Sequence, residues 1–78
     1  MTHSLNIQRG SKVHYDPYPG KVKPLNGIVT DFHPRILRYA WIVYHCDNDW
    51  KNYINYTSEL TDLNDVNEGW SENASNKL

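Results

Sequence analysis

His45, Cys46, Asp47 and Asp49 stand within one five-residue run, and they are the residue types in this chain best suited to chemistry. As metal ligands they fail on geometry. Neighbours on a strand point to opposite faces, and neither the C-x₂₋₄-C nor the H-x₃₋₅-H spacing of a structural zinc site occurs. As a nucleophile, Cys46 cannot take adjacent His45 as its base and would need His14 or His33 across the fold. The flanking acids Asp47 and Asp49 would raise a thiol pKa rather than lower it. The expectation is therefore a non-enzymatic chain with no metal and no cofactor.

Aromatic residues offer a different chemistry. Tyr15, Tyr18, Trp41, Tyr44, Trp50 and Tyr53 can enclose a cation beside Asp47 or Asp49, or they can simply fill a core. In a chain with a single Phe, Tyr and Trp must supply the packing. Tyr18 and Trp50 fall in apparent loops. With Tyr53 they are read as the anchors of a protein-binding surface, and Asp47 and Asp49 as its rim charges. Charge is uneven along the chain. Residues 1–38 carry six basic and two acidic side chains, and residues 39–78 carry two basic and seven acidic. Lys21, Lys23, Arg35 and Arg38 all lie in two long loops, so the alternative reading is RNA, DNA or ribosome binding there. The acids Asp47 and Asp49 together with Glu59, Asp62, Asp65 and Glu68 equally suit a basic partner or a mimic of phosphate spacing.

These residues belong to a chain of 78 residues, 38% hydrophobic and 22% charged, with eight Lys+Arg against nine Asp+Glu. That is one small domain, which buries only about 60% of its unfolded surface and has little room for an internal active site. The near-neutral balance argues against bulk electrostatic binding. No apolar run approaches the ~18–20 residues of a membrane span, and no apolar stretch of signal-peptide type follows Met1. With Cys46 alone no internal disulfide can form, which points to a reducing, cytoplasmic setting. The triplets Asn55-Tyr56-Thr57 and Asn73-Ala74-Ser75 then carry no glycosylation meaning.

The expected elements are strands. Lys12–Tyr15 places Val13 and Tyr15 on one face, and Asp16-Pro17-Tyr18-Pro19-Gly20 stops it. Asn26-Gly27 reads as a turn, Ile28–Phe32 as a strand, and 33–38 as an exposed connection. Tyr39–Cys46 is the clearest strand, apolar enough to be covered on both faces. After an Asp47–Asp49 turn, Trp50–Thr57 reads as its hairpin partner. Asp65–Gly69 suits a short helical or 3₁₀ turn. The resulting division is an N-terminal arm or edge strand over 1–8, a folded body over 9–70, and a disordered tail over 71–78.

Short strands closely spaced favour a small barrel. The order Gly10–Tyr15, Gly27-Ile28-Val29, Trp41–Tyr44, Asp49-Trp50, Leu60 and Gly69-Trp70 resembles the Tudor and KOW branches of the SH3-like barrels. That implies an all-β, five-stranded barrel with a 3₁₀ turn before its last strand. Val43–Tyr53, with Tyr56-Thr57, Leu60-Thr61, Leu63 and Gly69-Trp70, resembles a group of small uncharacterised proteins of bacteriophages and bacteria. The resemblance implies an accessory protein acting in bacterial cytoplasm. The aromatic-rich, Asn-rich surface leads to the expectation that it binds a bacterial protein and modulates or inhibits it, as an anti-defence factor would. Self-association through short edge strands is a further expectation, and no membrane partner is expected.

Overall fold

The computed structural model describes residues 6–76. It contains β1 (Lys12–Tyr15), β2 (Leu25–Phe32), β3 (Tyr39–Val43), a 3₁₀ helix (Trp50–Asn55), β4 (Glu59–Asp62), a 3₁₀ turn (Leu63–Asp65) and β5 (Val66–Glu68). All ladders are antiparallel, in the order β4-β3-β2-β1-β5. The strands number five and the 3₁₀ turn precedes the last, but the SH3-like barrel is not formed. β4 pairs only with β3 and β5 only with β1, so the sheet is open and keeps two edges. Of the N-terminal arm, residues 1–5 lie outside the described residues, and Ile7 packs against the core.

Strand alternation sorts the core. Val13, Val29, Ala40, Ile42 and Val66 gather on one face with Tyr44, and Tyr15, Leu25, Phe32 and Leu63 pack around them. Ile28 and Val43, cross-strand partners on the opposite face, are buried as well. That second face is roofed by tryptophan. Trp70 donates its indole N–H to the Gly27 carbonyl at 2.9 Å, lies 4.8 Å from the Trp50 ring, and carries the Lys12 ammonium 4.6 Å above it.

Asn26 and Gly27 form no turn; both lie inside β2. A Cβ on Gly27 would stand 2.6 Å from Ile42 Cγ2, 2.8 Å from Tyr44 Cδ1 and 2.9 Å from the Val43 carbonyl oxygen. Glycine is present here because β3 approaches too closely for any side chain. The turn expected at Asp47–Asp49 is formed: Asp47 and Asn48 have φ values of 52° and 65°, and with the Asp49 N–H to Cys46 carbonyl bond at 2.9 Å they make a type I′ geometry.

Trp50–Asn55 is helical rather than a strand, because Asp49 organises it locally. The Asp49 carboxylate accepts from Asn52 Nδ2 at 3.0 and 3.2 Å and from the Tyr56 hydroxyl at 2.9 Å. Such side-chain bonds compete with a ladder. The tail also departs from expectation over residues 71–76, which dock, with Ala74 buried, while residues 77–78 lie outside the described residues. Asn76 accepts from the Asn26 N–H at 2.9 Å and donates to the Asn26 and Tyr44 carbonyls at 2.8 and 2.9 Å. Its carboxamide serves backbone groups of β2 and of the residue following β3, beyond the last rung between them. Ser71 N–H donates to Asn26 Oδ1 at 2.8 Å.

Two substitutions test this account. Gly27→Ala overpacks the β2–β3 contact and lowers stability by about 1–3 kcal/mol, read from the denaturant midpoint. Asn76→Ala orphans part-buried backbone groups and costs about 1–3 kcal/mol, with faster hydrogen exchange at the Asn26 amide as its local signature.

Candidate docking face

Apolar residues on the outward face and loops line up beside β4. Trp41 pairs with Asp31 on β2 and with Leu60 on β4, so these three side chains form one cross-strand row. Its neighbours in β3, Ala40 and Ile42, point into the core instead. The Trp41 ring stacks on His33 at 5.5 Å with 10° between the planes. His33 is itself fixed, since its Nδ1 accepts the Arg35 and Ile36 N–H groups at 3.1 and 3.0 Å. Asp31 accepts from Arg9 at 2.8 Å, and that guanidinium holds the Asp31 carboxyl below its usual pKa.

Beside this row lies a groove of about 360 Å³ lined by Thr30, Asp31, Trp41, Ile54, Tyr56 and Ser58. Leu60 is 52% and Ile54 64% exposed. The loop bearing exposed Ile36 and Leu37 abuts the end of β4, because Leu63 N–H bonds the Arg38 carbonyl at 2.7 Å. Four of the six large apolar side chains exposed among the described residues therefore sit along the β3–β4 side.

The same bond fixes what β4 offers at its edge. Antiparallel ladders alternate which residues turn their backbone groups inward. With Leu63 bonded toward β3, Glu59 and Thr61 face β3, and the N–H and C=O of Leu60 and the N–H of Asp62 face outward, while the Asp62 carbonyl starts the 3₁₀ turn. On the core side of β4 is a smaller cavity of about 170 Å³, lined by Tyr15, Tyr44, Glu59, Asp62 and Asp65 among others. The two rings lie 5.9 Å apart. Tyr44 and Thr61 share a buried hydroxyl hydrogen bond of 2.9 Å. Burial drives the Tyr44 phenol pKa well up; burial and then the Asp65 carboxylate raise that of Tyr15.

The residues singled out from the sequence are dispersed. Trp50 is half-buried against Trp70, and Tyr53, also half-buried, has its hydroxyl 3.7 Å from the position of a Cβ on Gly10. Asp49 braces the 3₁₀ helix, while Asp47 is exposed in the turn and shares a cavity wall with Trp50 and Cys46. Tyr18 is 63% exposed on the β1–β2 loop and lines none of these cavities. Lys21 and Lys23 line a separate cavity with Asp16, whereas Arg35 and Arg38 lie on the β2–β3 loop. Arg38 reaches Asp62 at 3.5 Å and the Tyr39 ring at 5.4 Å. The four bases therefore do not line one cavity. Burial pushes the Cys46 thiol up, with the Asp49 and Asp47 carboxylates adding to it. Among the described residues no three His, Cys, Asp or Glu side chains converge as metal ligands.

No family model, curated protein or solved structure matches the chain. The resemblance to bacteriophage and bacterial proteins is therefore not sustained, and the Tudor/KOW likeness ends with the open sheet. Among the described residues no helix is long and apolar enough to cross a membrane.

The Tyr44 phenol gives this region a pH signature. Because its pKa is higher folded than unfolded, its contribution is present below the ordinary phenol value of ~10 and lost as pH rises above it. Urea midpoints measured across that range should fall more for the wild type than for Tyr44→Phe.

Proposed function

We propose that this chain is a non-enzymatic binding module that docks on a partner protein through the β3–β4 face and modulates or blocks that partner by covering its surface. The observation that supports this most directly is the exposure beside Trp41 of Leu60, on a strand that ends the sheet, and of Ile54, on the 3₁₀ helix. Clustered exposed apolar residues with polar surroundings are a mark of interaction surfaces. Trp41 has the properties of an anchor: a large ring, fixed by His33, half-buried beside a groove. Asp31, Thr30 and Ser58 supply a polar border to that groove.

This reading moves the anchor from Trp50 to Trp41. Trp50 and Tyr53 belong to the 3₁₀ helix that walls the face, and Asp49 holds that helix in place. Their contribution to docking is structural support.

The test uses affinity capture followed by calorimetry with the purified, identified partner. Leu60→Glu should retain the wild-type melting temperature and weaken binding tenfold or more, equivalent to about 1.4 kcal/mol per factor of ten. Equal binding by Leu60→Glu and by Ile54→Glu would overturn the proposed face.

A further inference from the structure

Resting on the docking reading, we infer that the occupant of this face is an extended segment alternating apolar with Lys or Arg side chains, added as a strand along β4. The backbone supplies the first part of the argument. Leu60 presents an outward donor and acceptor and Asp62 an outward donor, and β4 is a terminal strand of the sheet. Adding a strand satisfies those groups, with side chains on alternate faces.

Side-chain alternation supplies the second part. Leu60 shares the outward face with Trp41, while Glu59 and Thr61 point to the core side. An incoming strand would therefore set every other side chain beside the Leu60–Trp41 row and the intervening ones beside Glu59 and the acid-lined cavity. That cavity has Glu59, Asp62 and Asp65 in its wall and no Lys, Arg or His. Glu59 and Asp65 have no ion pair among the described residues, whereas Asp62, on the same face of β4 as Leu60, accepts the Asn64 N–H at 2.9 Å and lies 3.5 Å from Arg38. Tyr15 and Tyr44 add ring surfaces that favour a cation. The two uncompensated carboxylates, Glu59 and Asp65, favour a basic side chain over a neutral or acidic one.

The same charges argue against a second copy of the chain. Pairing two β4 strands would bring Glu59 and Asp62 of both copies into one two-stranded ribbon, an unfavourable crowding of like charge. They argue against a nucleic-acid backbone for the same reason.

The experiment uses the full chain, labelled with ¹⁵N, and two blocked peptides of equal length, one alternating valine with lysine and the other valine with glutamate. The lysine peptide should shift the Leu60 and Asp62 amides and slow their hydrogen exchange; the glutamate peptide should do neither. Glu59→Lys, whose wild-type side chain makes no hydrogen bond among the described residues, should weaken the lysine peptide tenfold or more. Equal binding of both peptides, or lysine-peptide binding without protection of β4, would overturn the inference. So would a dimer in sedimentation that Leu60→Glu abolishes, since the edge would then belong to a second copy. If the captured partner depends on Leu60 but not on Glu59, the docking face survives and the basic strand does not.

Discussion

The missing side chain of Gly27 sets the spacing on which the sheet is built. With Ile42 Cγ2 only 2.6 Å and the Val43 carbonyl oxygen 2.9 Å from where a Cβ would stand, an alanine here would force β3 and its side chains to shift. Ile42 and Tyr44 join Val13, Val29, Ala40 and Val66 in a single cluster. The Gly27 carbonyl then takes the Trp70 indole on the sheet's other side. Both faces are thus tied to one residue. In a domain this small, where burial is limited, such coupling leaves little tolerance at that point.

Asn26, one position earlier, ties the end of the chain to the sheet. Its side chain receives Ser71 N–H and its main chain is bracketed by the Asn76 carboxamide, which also reaches the Tyr44 carbonyl. Beyond the last β2–β3 rung, at Ile28 and Val43, the tail takes the place of a continuing ladder. Buried backbone groups need partners, and here a side chain from the opposite terminus provides them.

How much of this was legible in the sequence follows from which forces are local. β1 was readable because Val13 and Tyr15 alternate with Lys12 and His14 and prolines end the run, and most of β3 was readable from its aliphatic and aromatic density. Asn26-Gly27 misled because the pair that suits a tight turn also suits a buried amide beside a close strand contact; only the tertiary neighbours distinguish them. Trp50–Thr57 alternates like a strand, yet Asp49 wins it for a 3₁₀ helix through Asn52 and Tyr56. The polar tail carried no apolar signal, since its docking rests on hydrogen bonds across the chain. Barrel closure depended on a β4–β5 pairing that no local pattern reports. At the candidate face, Trp41 was recognised as an aromatic but placed in a strand covered on both sides. Nothing in the local pattern marks Leu60 as exposed, because an apolar residue between polar neighbours in a short strand ordinarily points inward.

Open edges are hazards that proteins commonly blunt with charge or with very short strands. β4 uses both devices: it has four residues, two of them acidic. Protection from self-pairing and preference for a basic partner are then consequences of one charge pattern rather than competing explanations. Carboxylates that repel another β4 attract a strand of opposite sign, while the outward Leu60 keeps an apolar contact available to it. A neutral edge with the same Leu60 would pair with itself as readily as with anything else. An edge guarded by lysine, the commoner choice, would reverse the preference. The sign of the charge on β4 thus carries specificity that its backbone cannot, because backbone donors and acceptors are the same in every strand.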